Sequence, residues 1–180
     1  MANVDPDIQS RLLAQMRSPR LVALDSMNYW ITHKRRALLK LLKKVDIYVA
    51  NDQEARSLSG ENNLIRAAKR LYRQGPRMVL IKKGEHGLLF YTSQFIFSLP
   101  AYPTDKIVDP TGAGDTFAGG FMGYLAKTKQ INEITLKKAL VYGTLAASFN
   151  VEDFGINRTM RLRLKDLEER LVKFKKCVLF

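Results

Sequence analysis

Val108-Asp109-Pro110-Thr111-Gly112-Ala113-Gly114-Asp115-Thr116-Phe117-Ala118-Gly119-Gly120-Phe121 is the stretch that decides what this sequence predicts. It follows a proline-containing loop and opens an apolar-periodic segment over 116–127, so Gly112 to Gly114 form the last turn before a helix. Backbone amides at a helix start are unpaired and lie beside the positive end of the helix dipole. The turn therefore predicts an anion site, for which phosphate is the usual ligand.

Asp115 is expected in the first turn of that helix, next to the predicted anion site. A carboxylate there would repel a phosphate unless an attacking hydroxyl lay between the two groups. Asp115 would accept the proton of that hydroxyl while the amides of Gly112, Ala113 and Gly114 stabilise the phosphoryl charge. The segment does not match the dinucleotide-binding fingerprint Gly-x-Gly-x-x-Gly, because Phe117 stands where the third glycine is required. The Walker A sequence Gly-Lys-Ser/Thr does not occur in the chain. A glycine-rich start chosen only for packing would not require the acid.

The segment 109–121 resembles the C-terminal signature of the PfkB carbohydrate kinases, the ribokinase-like family. The resemblance implies ATP-dependent phosphorylation of a sugar or nucleoside hydroxyl. It assigns the anion hole to the Gly-Ala-Gly turn and the catalytic base to Asp115. ATP and Mg²⁺ are the cofactors that it implies.

Short apolar runs alternate with segments of helical periodicity along the chain, which predicts a parallel sheet covered by helices. We expect strands at 21–24, 47–50 and 78–81, followed by a hairpin at 88–99 on one edge of the sheet. Thr32 is expected to cap a basic helix that ends near Lys44. The predicted fold is a Rossmann-like three-layer α/β/α sandwich, built as a single domain over residues 1–180.

Asn51 and Glu54 follow the second predicted strand, and ligands of open α/β sheets bind at such strand ends. Asn51-Asp52-Gln53-Glu54 is also a capping-box sequence, which is a purely structural role. The resemblance implies that Asn51 and Glu54 help to place Mg²⁺ and the nucleotide phosphates through water. Both roles can hold at once.

The resemblance implies further nucleotide contacts along the chain. Lys82 could reach a phosphate and Gly84 permits close approach of the backbone, although a glycine-bounded hairpin with solvated lysines explains both equally well. The remaining predicted contacts are Thr111, Thr144, Asn150 and Gly155, with the loop 150–155 bordering the adenine. Asp109 is a candidate for holding a monovalent cation.

The net charge of +13 and the isoelectric point near 10.0 narrow the classes of partner. The basic residues of 34–44 and 158–176 accompany apolar residues at helical spacing, so they indicate solvated helix faces. They lack the aromatic residues and motifs of nucleic-acid binding, which we do not expect, whereas anionic ATP would benefit from the positive field. With the single Cys177, no signal-like start and no membrane-length apolar run, we expect a cytoplasmic protein without a membrane partner.

The resemblance covers the C-terminal half of the family. The first glycine is Gly60, so the Gly-Gly substrate signature and the lid of the N-terminal half have no counterpart here. We therefore expect the chain alone to bind ATP·Mg²⁺ weakly and to phosphorylate nothing at a useful rate. The alternative is a catalytically silent nucleotide-binding or partner-supporting module. Trp30 is either a core residue or a homodimer contact.

Overall fold

The computed structural model describes residues 4–178 and has an α/β fold made of two compact units. The first unit ends at Ser98 and the second begins at Leu99. The expectation of one domain over residues 1–180 stays a prediction.

The first unit contains a mixed, mostly parallel sheet. Its strands are β1 (Ala23–Asp25), β2 (Ile47–Asn51), β3 (Met78–Lys82), β4 (Leu88–Tyr91) and β5 (Ile96–Leu99), and they lie in the order β1-β2-β3-β4-β5. The last residue of β5, Leu99, is the residue at which the second unit begins. Strands β1, β2 and β3 are parallel, while β4 runs antiparallel to β3. The predicted parallel sheet with β4 and β5 at one edge is confirmed.

Among residues 4–98, the first unit contains five α-helices: α1 (Pro6–Gln15), α2 (Asn28–His33), α3 (Arg35–Leu42), α4 (Asp52–Ser59) and α5 (Leu64–Tyr72). Helices α2 and α3 connect β1 to β2, and α4 and α5 connect β2 to β3. Connections between parallel strands are right-handed, and both connections lead to the next strand in the same direction across the sheet. Helices α2 to α5 therefore lie on the same face. Tyr48 and Ala50 pack there in one core cluster with leucines of α3. Ile47 and Val49 alternate with them and are also buried, so both faces of β2 are covered.

The expected cap at Thr32 was wrong. Thr32 lies inside α2, where its hydroxyl donates to the Asn28 carbonyl 3.0 Å away, a bond that threonine commonly makes within helices. The helix break falls instead at Lys34, whose φ of −129° and ψ of 32° separate α2 from α3. The Lys34 ammonium is 2.8 Å from Asp5 and 2.6 Å from Asp7, so the break is held against the start of α1.

Among residues 99–178, the second unit contains three α-helices: α6 (Ala113–Thr128), α7 (Glu133–Asn150) and α8 (Leu164–Val178). Helices α6 and α7 approach closely at small residues. A Cβ on Gly120 would lie 2.9 Å from the Ala146 Cβ, and one on Gly143 would lie 2.9 Å from the Phe117 ring. These glycines therefore serve the packing of α6 against α7. Within residues 4–178, each helix is too short or too polar to cross a membrane.

Candidate functional site

The glycine turn before α6 has the geometry that an anion hole requires. Gly112 has a φ of 79°, which a residue with a Cβ rarely adopts, and α6 begins at the next residue. The Ala113 amide donates to the Pro110 carbonyl over 3.2 Å. The amides of Gly114 and Asp115 have no acceptor among residues 4–178. Two unpaired donors thus lie at the positive end of a 16-residue helix.

Asp115 is exposed in the first turn of α6, beside these amides. Its carboxylate forms no hydrogen bond or ion pair with any side chain that the structure describes. A carboxylate that is free and open to solvent is able to accept a proton from an incoming hydroxyl. Its predicted role as catalytic base stays a prediction.

Asn150, the last residue of α7, joins three segments of the second unit. It is 1% exposed. Its Nδ2 donates to the Thr111 carbonyl at 3.2 Å and to the Gly155 carbonyl at 2.9 Å, and its Oδ1 accepts from Thr116 Oγ1 at 2.8 Å. The Asn150 side chain therefore fixes the glycine turn, the first turn of α6 and the loop 151–155 relative to one another. Thr116 was missed in the sequence, where nothing distinguishes its hydroxyl from a solvated one.

Asp109 has a structural role that the sequence did not assign to it. Its Oδ1 accepts from the Thr111 amide at 2.9 Å and its Oδ2 accepts from the Gly155 amide at 3.5 Å. Donation from Thr111 holds the pKa of Asp109 below its ordinary value. The carboxylate thus stays charged and bridges the two loops, and a monovalent cation at Asp109 stays a prediction.

Thr144 lies within α7 rather than at its end. It is 8% exposed and follows Gly143, where α7 packs against Phe117. The structure gives Thr144 a buried position on α7, and its proposed nucleotide contact stays a prediction. Gly155, by contrast, is exposed at the loop that Asn150 anchors.

Arg170 of α8 fixes the end of α7 from another side. Its guanidinium lies 3.4 Å from the centre of the Phe149 ring and donates to Ser148 Oγ and to Glu152, each at 2.9 Å. Both members of the Arg170–Glu152 pair are nearly buried, with side chains 13% and 11% exposed. The residues on either side of Asn150 are therefore held rigidly. No sequence pattern indicates this cluster, because it depends on how α8 packs.

In the first unit, polar side chains collect where the parallel strands end. Asp25 is the last residue of β1, and Asn51 of β2 is in register with Lys82 of β3. Lys82 Nζ donates to Asp25 Oδ2 at 2.8 Å. The Lys82 ammonium, predicted to reach a phosphate, is held by a carboxylate in this structure. Asp25 ends the first predicted strand, in a turn that resembles the family's turn near the reacting groups, and a part in the site stays a prediction for it.

Asn51 and Glu54 form the predicted capping box at the start of α4. The Glu54 amide donates to Asn51 Oδ1 at 2.7 Å, and the Asn51 amide donates to Glu54 Oε2 at 2.9 Å. Glu54 is 6% exposed. Burial raises the pKa of Glu54 above its ordinary value and Asp25 raises it further, against donation from the Asn51 amide and the charge of Lys82. A cation near Glu54 would offset the free-energy cost of keeping this buried carboxylate charged.

The residues at these strand ends are suited to bind Mg²⁺, mainly through water molecules that the ion carries. Asp25, Asn51 and Glu54 offer the hard oxygen ligands that Mg²⁺ prefers. No group of three His, Cys, Asp or Glu residues within 4–178 is placed to surround a metal directly. Mg²⁺ commonly keeps several waters and takes only one or two carboxylates, so this donor set suits it. Gly84 begins a 3₁₀ turn two residues after Lys82.

Comparisons with known proteins identify the family of this chain. The model of the pfkB family of carbohydrate kinases matches residues 11–161. The cytidine kinase of Thermococcus kodakarensis is 34% identical over 134 residues, which are 72% of this chain and 48% of the kinase. The nucleoside kinase structure of Methanocaldococcus jannaschii superimposes with a TM-score of 0.77 at 25% identity, over 96% of this chain and 55% of that one.

A provisionally named ribokinase II of E. coli, solved in complex with ATP and Mg²⁺, superimposes with a TM-score of 0.71 at 25% identity. That match covers 85% of this chain and 49% of the E. coli protein. The chain thus spans about half the length of these three relatives. The matched residues include the glycine turn, Asp115 and the strand-end cluster of the first unit. The chain belongs to the PfkB family of carbohydrate kinases.

Proposed function

We propose that this chain is the nucleotide-binding and catalytic portion of a kinase that transfers phosphate from ATP to a hydroxyl of a sugar or nucleoside. One observation carries the proposal. Gly112 leaves the amides of Gly114 and Asp115 unpaired at the start of α6, and the same turn presents a carboxylate with no other partner. A glycine turn that served only helix packing would need neither the unpaired amides nor the carboxylate.

Asp115 and the glycine turn divide the chemistry between them. Asp115 accepts the proton of the acceptor hydroxyl, so that the oxygen becomes a better nucleophile. The amides of Gly114 and Asp115 stabilise the negative charge on the phosphoryl group as it is transferred. Asn150 holds the turn in place through Thr111 and Thr116, which keeps the donors oriented before the substrate arrives.

The strand-end residues of the first unit serve the metal and the phosphates. Asn51, Glu54 and Asp25 would hold Mg²⁺ through its waters, and the bound ion would neutralise phosphate charge. Lys82 is proposed to contact a phosphate, which requires its ammonium to leave Asp25. Gly84, Thr111, Thr144, Asn150 and Gly155 are proposed to line the nucleotide.

The acceptor is proposed to be a sugar or nucleoside because the matched relatives are named cytidine, nucleoside and ribose kinases. A monovalent cation at Asp109 and a cytoplasmic location belong to the same proposal. Trp30 is proposed to be either a core residue or a contact in a homodimer. Its indole Nε1 is buried without a hydrogen-bond partner among residues 4–178.

Calorimetry of the full chain with ATP, with and without Mg²⁺, tests the nucleotide part. Glu54→Gln keeps a side chain that can cap α4 and removes only the charge. We expect it to weaken ATP·Mg²⁺ binding at least tenfold while thermal unfolding shifts little. Asp105→Asn, which removes an exposed acid of the second unit, is the matched control and should bind as wild type. Equal affinity with and without Mg²⁺ in all three proteins would contradict the metal assignment.

Turnover tests the chemistry separately. Because the chain alone is expected to phosphorylate nothing at a useful rate, it is first fused to the part of the T. kodakarensis cytidine kinase outside the matched residues. Ribose, fructose, adenosine, cytidine and hexose phosphates are then screened with this fusion in a coupled assay. With any acceptor that is phosphorylated, Asp115→Asn should lower kcat about 10²–10⁴-fold and leave ATP affinity unchanged or tighter. Near-full activity in that variant would remove Asp115 from the mechanism. ATP binding without turnover of any acceptor would favour the silent nucleotide-binding module.

A further inference from the structure

Helix α5 carries a row of positive charge on its exposed side. Arg66, Lys69, Arg70 and Arg73 are exposed, and their spacing of i, i+3, i+4 and i+7 places them along one side of the helix. The buried residues of α5 lie on the opposite side, against the core of the first unit. The row therefore faces away from the sheet.

Helix α3 carries a similar row. Arg36, Lys40, Lys43 and Lys44 are exposed along the helix and just beyond its end, with the spacing i, i+4, i+7 and i+8. The buried leucines of α3 lie on its other side. This row also faces away from the sheet, because α3 and α5 cover the same face of it.

The two rows lie side by side. Helix α3 leads into β2 and α5 leads into β3, and these two strands are paired. Leu38 of α3 and Leu71 of α5 pack in the same core cluster. The segments that follow the two helices are in contact, since a Cβ on Gly75 would lie 2.6 Å from the Lys43 Cα. We call the eight cations of the two rows the α3–α5 basic surface.

The charge of this surface is not balanced by acidic residues. The sequence has no Asp or Glu over 34–45 or over 62–84. Arg70 lies 3.3 Å from Glu61, and the other seven cations have no ion pair among residues 4–178. Like charges four residues apart, such as Lys69 and Arg73, destabilise a helix. A bound polyanion would offset that repulsion, whereas an ordinary solvated face mixes both signs of charge.

We propose that the α3–α5 basic surface binds the phosphate backbone of a nucleic-acid duplex, without reading the bases. A protein partner would need apolar or aromatic residues at the centre of the interface, and between residues 34 and 77 the single exposed large hydrophobic side chain is Ile65. Interfaces with nucleic acid are instead polar and strongly positive. A membrane would need apolar side chains that insert, and a single strand would need aromatic rings on which its bases stack. A duplex requires only cations placed along its phosphates.

The expectation of no nucleic-acid partner rested on the absence of motifs that read bases, and contacts confined to phosphates need no such motif. It was also formed without α5, whose place beside α3 follows from the fold. The basic surface faces away from the sheet, whereas Asn51 and Lys82 lie at the ends of its strands. A duplex and ATP·Mg²⁺ should therefore bind the chain without competing.

The test is fluorescence anisotropy of a short labelled DNA duplex, titrated with the full chain at several KCl concentrations. Kd should rise steeply with salt, because each phosphate contact contributes about 0.9 to the slope of log Kd against log[KCl]. Lys40→Gln, Lys43→Gln, Lys69→Gln and Arg73→Gln are combined in one variant, since Gln keeps the helix propensity of Lys and Arg. We expect its Kd to rise at least tenfold and its salt slope to fall by about 3–4, while its thermal unfolding temperature does not fall.

The matched control removes the same number of cations from α8 of the second unit. Lys165→Gln, Lys173→Gln, Lys175→Gln and Lys176→Gln replace exposed side chains and lower the net charge equally. The control should keep the wild-type salt slope and a Kd within about twofold of wild type. ATP·Mg²⁺ should leave the wild-type Kd for the duplex unchanged. Duplex RNA is titrated in parallel, and binding of either duplex satisfies the proposal.

Equal loss of affinity in the two quadruple variants would show that binding follows net charge alone, and would overturn the proposal. The double variants Lys40→Gln/Lys43→Gln and Lys69→Gln/Arg73→Gln should each lower the salt slope by about 2. A loss confined to one of these pairs would reject a surface built from both helices. Displacement of the duplex by ATP·Mg²⁺ would assign duplex binding to the nucleotide site instead. Sedimentation of the chain with phosphatidylserine vesicles, without duplex binding, would assign the surface to a membrane, and either result rejects the duplex as its occupant.

Discussion

Thr116 Oγ1 donates to Asn150 Oδ1 at 2.8 Å, so the first turn of α6 is bonded to the last residue of α7. The same Asn150 side chain donates to two backbone carbonyls, those of Thr111 and Gly155. All three bonds are shielded, because Asn150 is 1% exposed. One buried amide thus determines the conformation of the proposed anion hole and of the loop next to it.

Replacing Asn150 by Ala should lower the free energy of unfolding by about 2–3 kcal/mol, because buried polar groups lose their partners. Urea denaturation followed by circular dichroism measures the change. Asn157→Ala is the control, since Asn157 is exposed, and it should change stability by less than about 0.5 kcal/mol. An Asn150→Ala protein as stable as the control would show that the network does not hold the turn.

Two glycines of α6 should respond to alanine in opposite directions. A Cβ on Gly120 would lie 2.9 Å from Ala146 Cβ and 3.1 Å from Gly143 Cα, so Gly120→Ala should destabilise the protein by about 1–3 kcal/mol. A Cβ on Gly123 meets nothing within 4 Å, so Gly123→Ala should stabilise it by about 0.5–1 kcal/mol through helix propensity. Thermal unfolding of both variants measures the pair. Equal shifts would mean that α6 and α7 are not packed this closely.

Tyr48 should make the protein sensitive to alkaline pH. Its ring is fully buried and its hydroxyl lies 2.7 Å from Ser26 Oγ. Burial raises the pKa of Tyr48 far above its ordinary value of 10.0. The unfolded chain therefore ionises first, and stability present below pH 10 is lost as the pH rises further.

The double variant Ser26→Ala/Tyr48→Phe removes the ionisable group without leaving an unpaired hydroxyl. Urea denaturation at pH 8 and pH 11 should show a smaller alkaline loss of stability for this variant than for the wild type. Tyr29→Phe, at a 52% exposed tyrosine, should retain the wild-type loss. The same alkaline loss in all three proteins would exclude Tyr48 as its source.

The sequence predicted the fold because its signals were local. Buried runs such as 47–50 and 78–81 became β2 and β3, and Asp5 and Asn51 cap α1 and α4 as their residue types favour. Thr32 was misjudged because a threonine hydroxyl can bond within a helix as well as cap one. The break at Lys34 depends on Asp5 and Asp7, residues distant in sequence.

The candidate site was predicted where a motif encodes it and missed where tertiary contacts do. Gly112 to Asp115 were assigned from the signature, and the structure places them at the start of α6, while their roles stay a prediction. The pairing of Lys82 with Asp25 and the cluster around Arg170 join residues that only the folded chain brings together. The residue types at Lys82, Asp25 and Arg170 do not indicate which residues they contact.

The reciprocal cap formed by Asn51 and Glu54 affects how the evolution of this family is to be interpreted. Each side chain satisfies the other's amide, so both residue types are retained by the folding of α4 alone. A descendant protein without catalytic activity would still retain Asn51 and Glu54, because α4 needs them as its cap. Their presence in a relative is therefore not evidence that the relative is active. Asp115 has no such structural duty, because its carboxylate contacts no other described side chain. On the catalytic role that we propose for Asp115, drift at this position among relatives of the chain is the change that would mark a lineage as a pseudokinase.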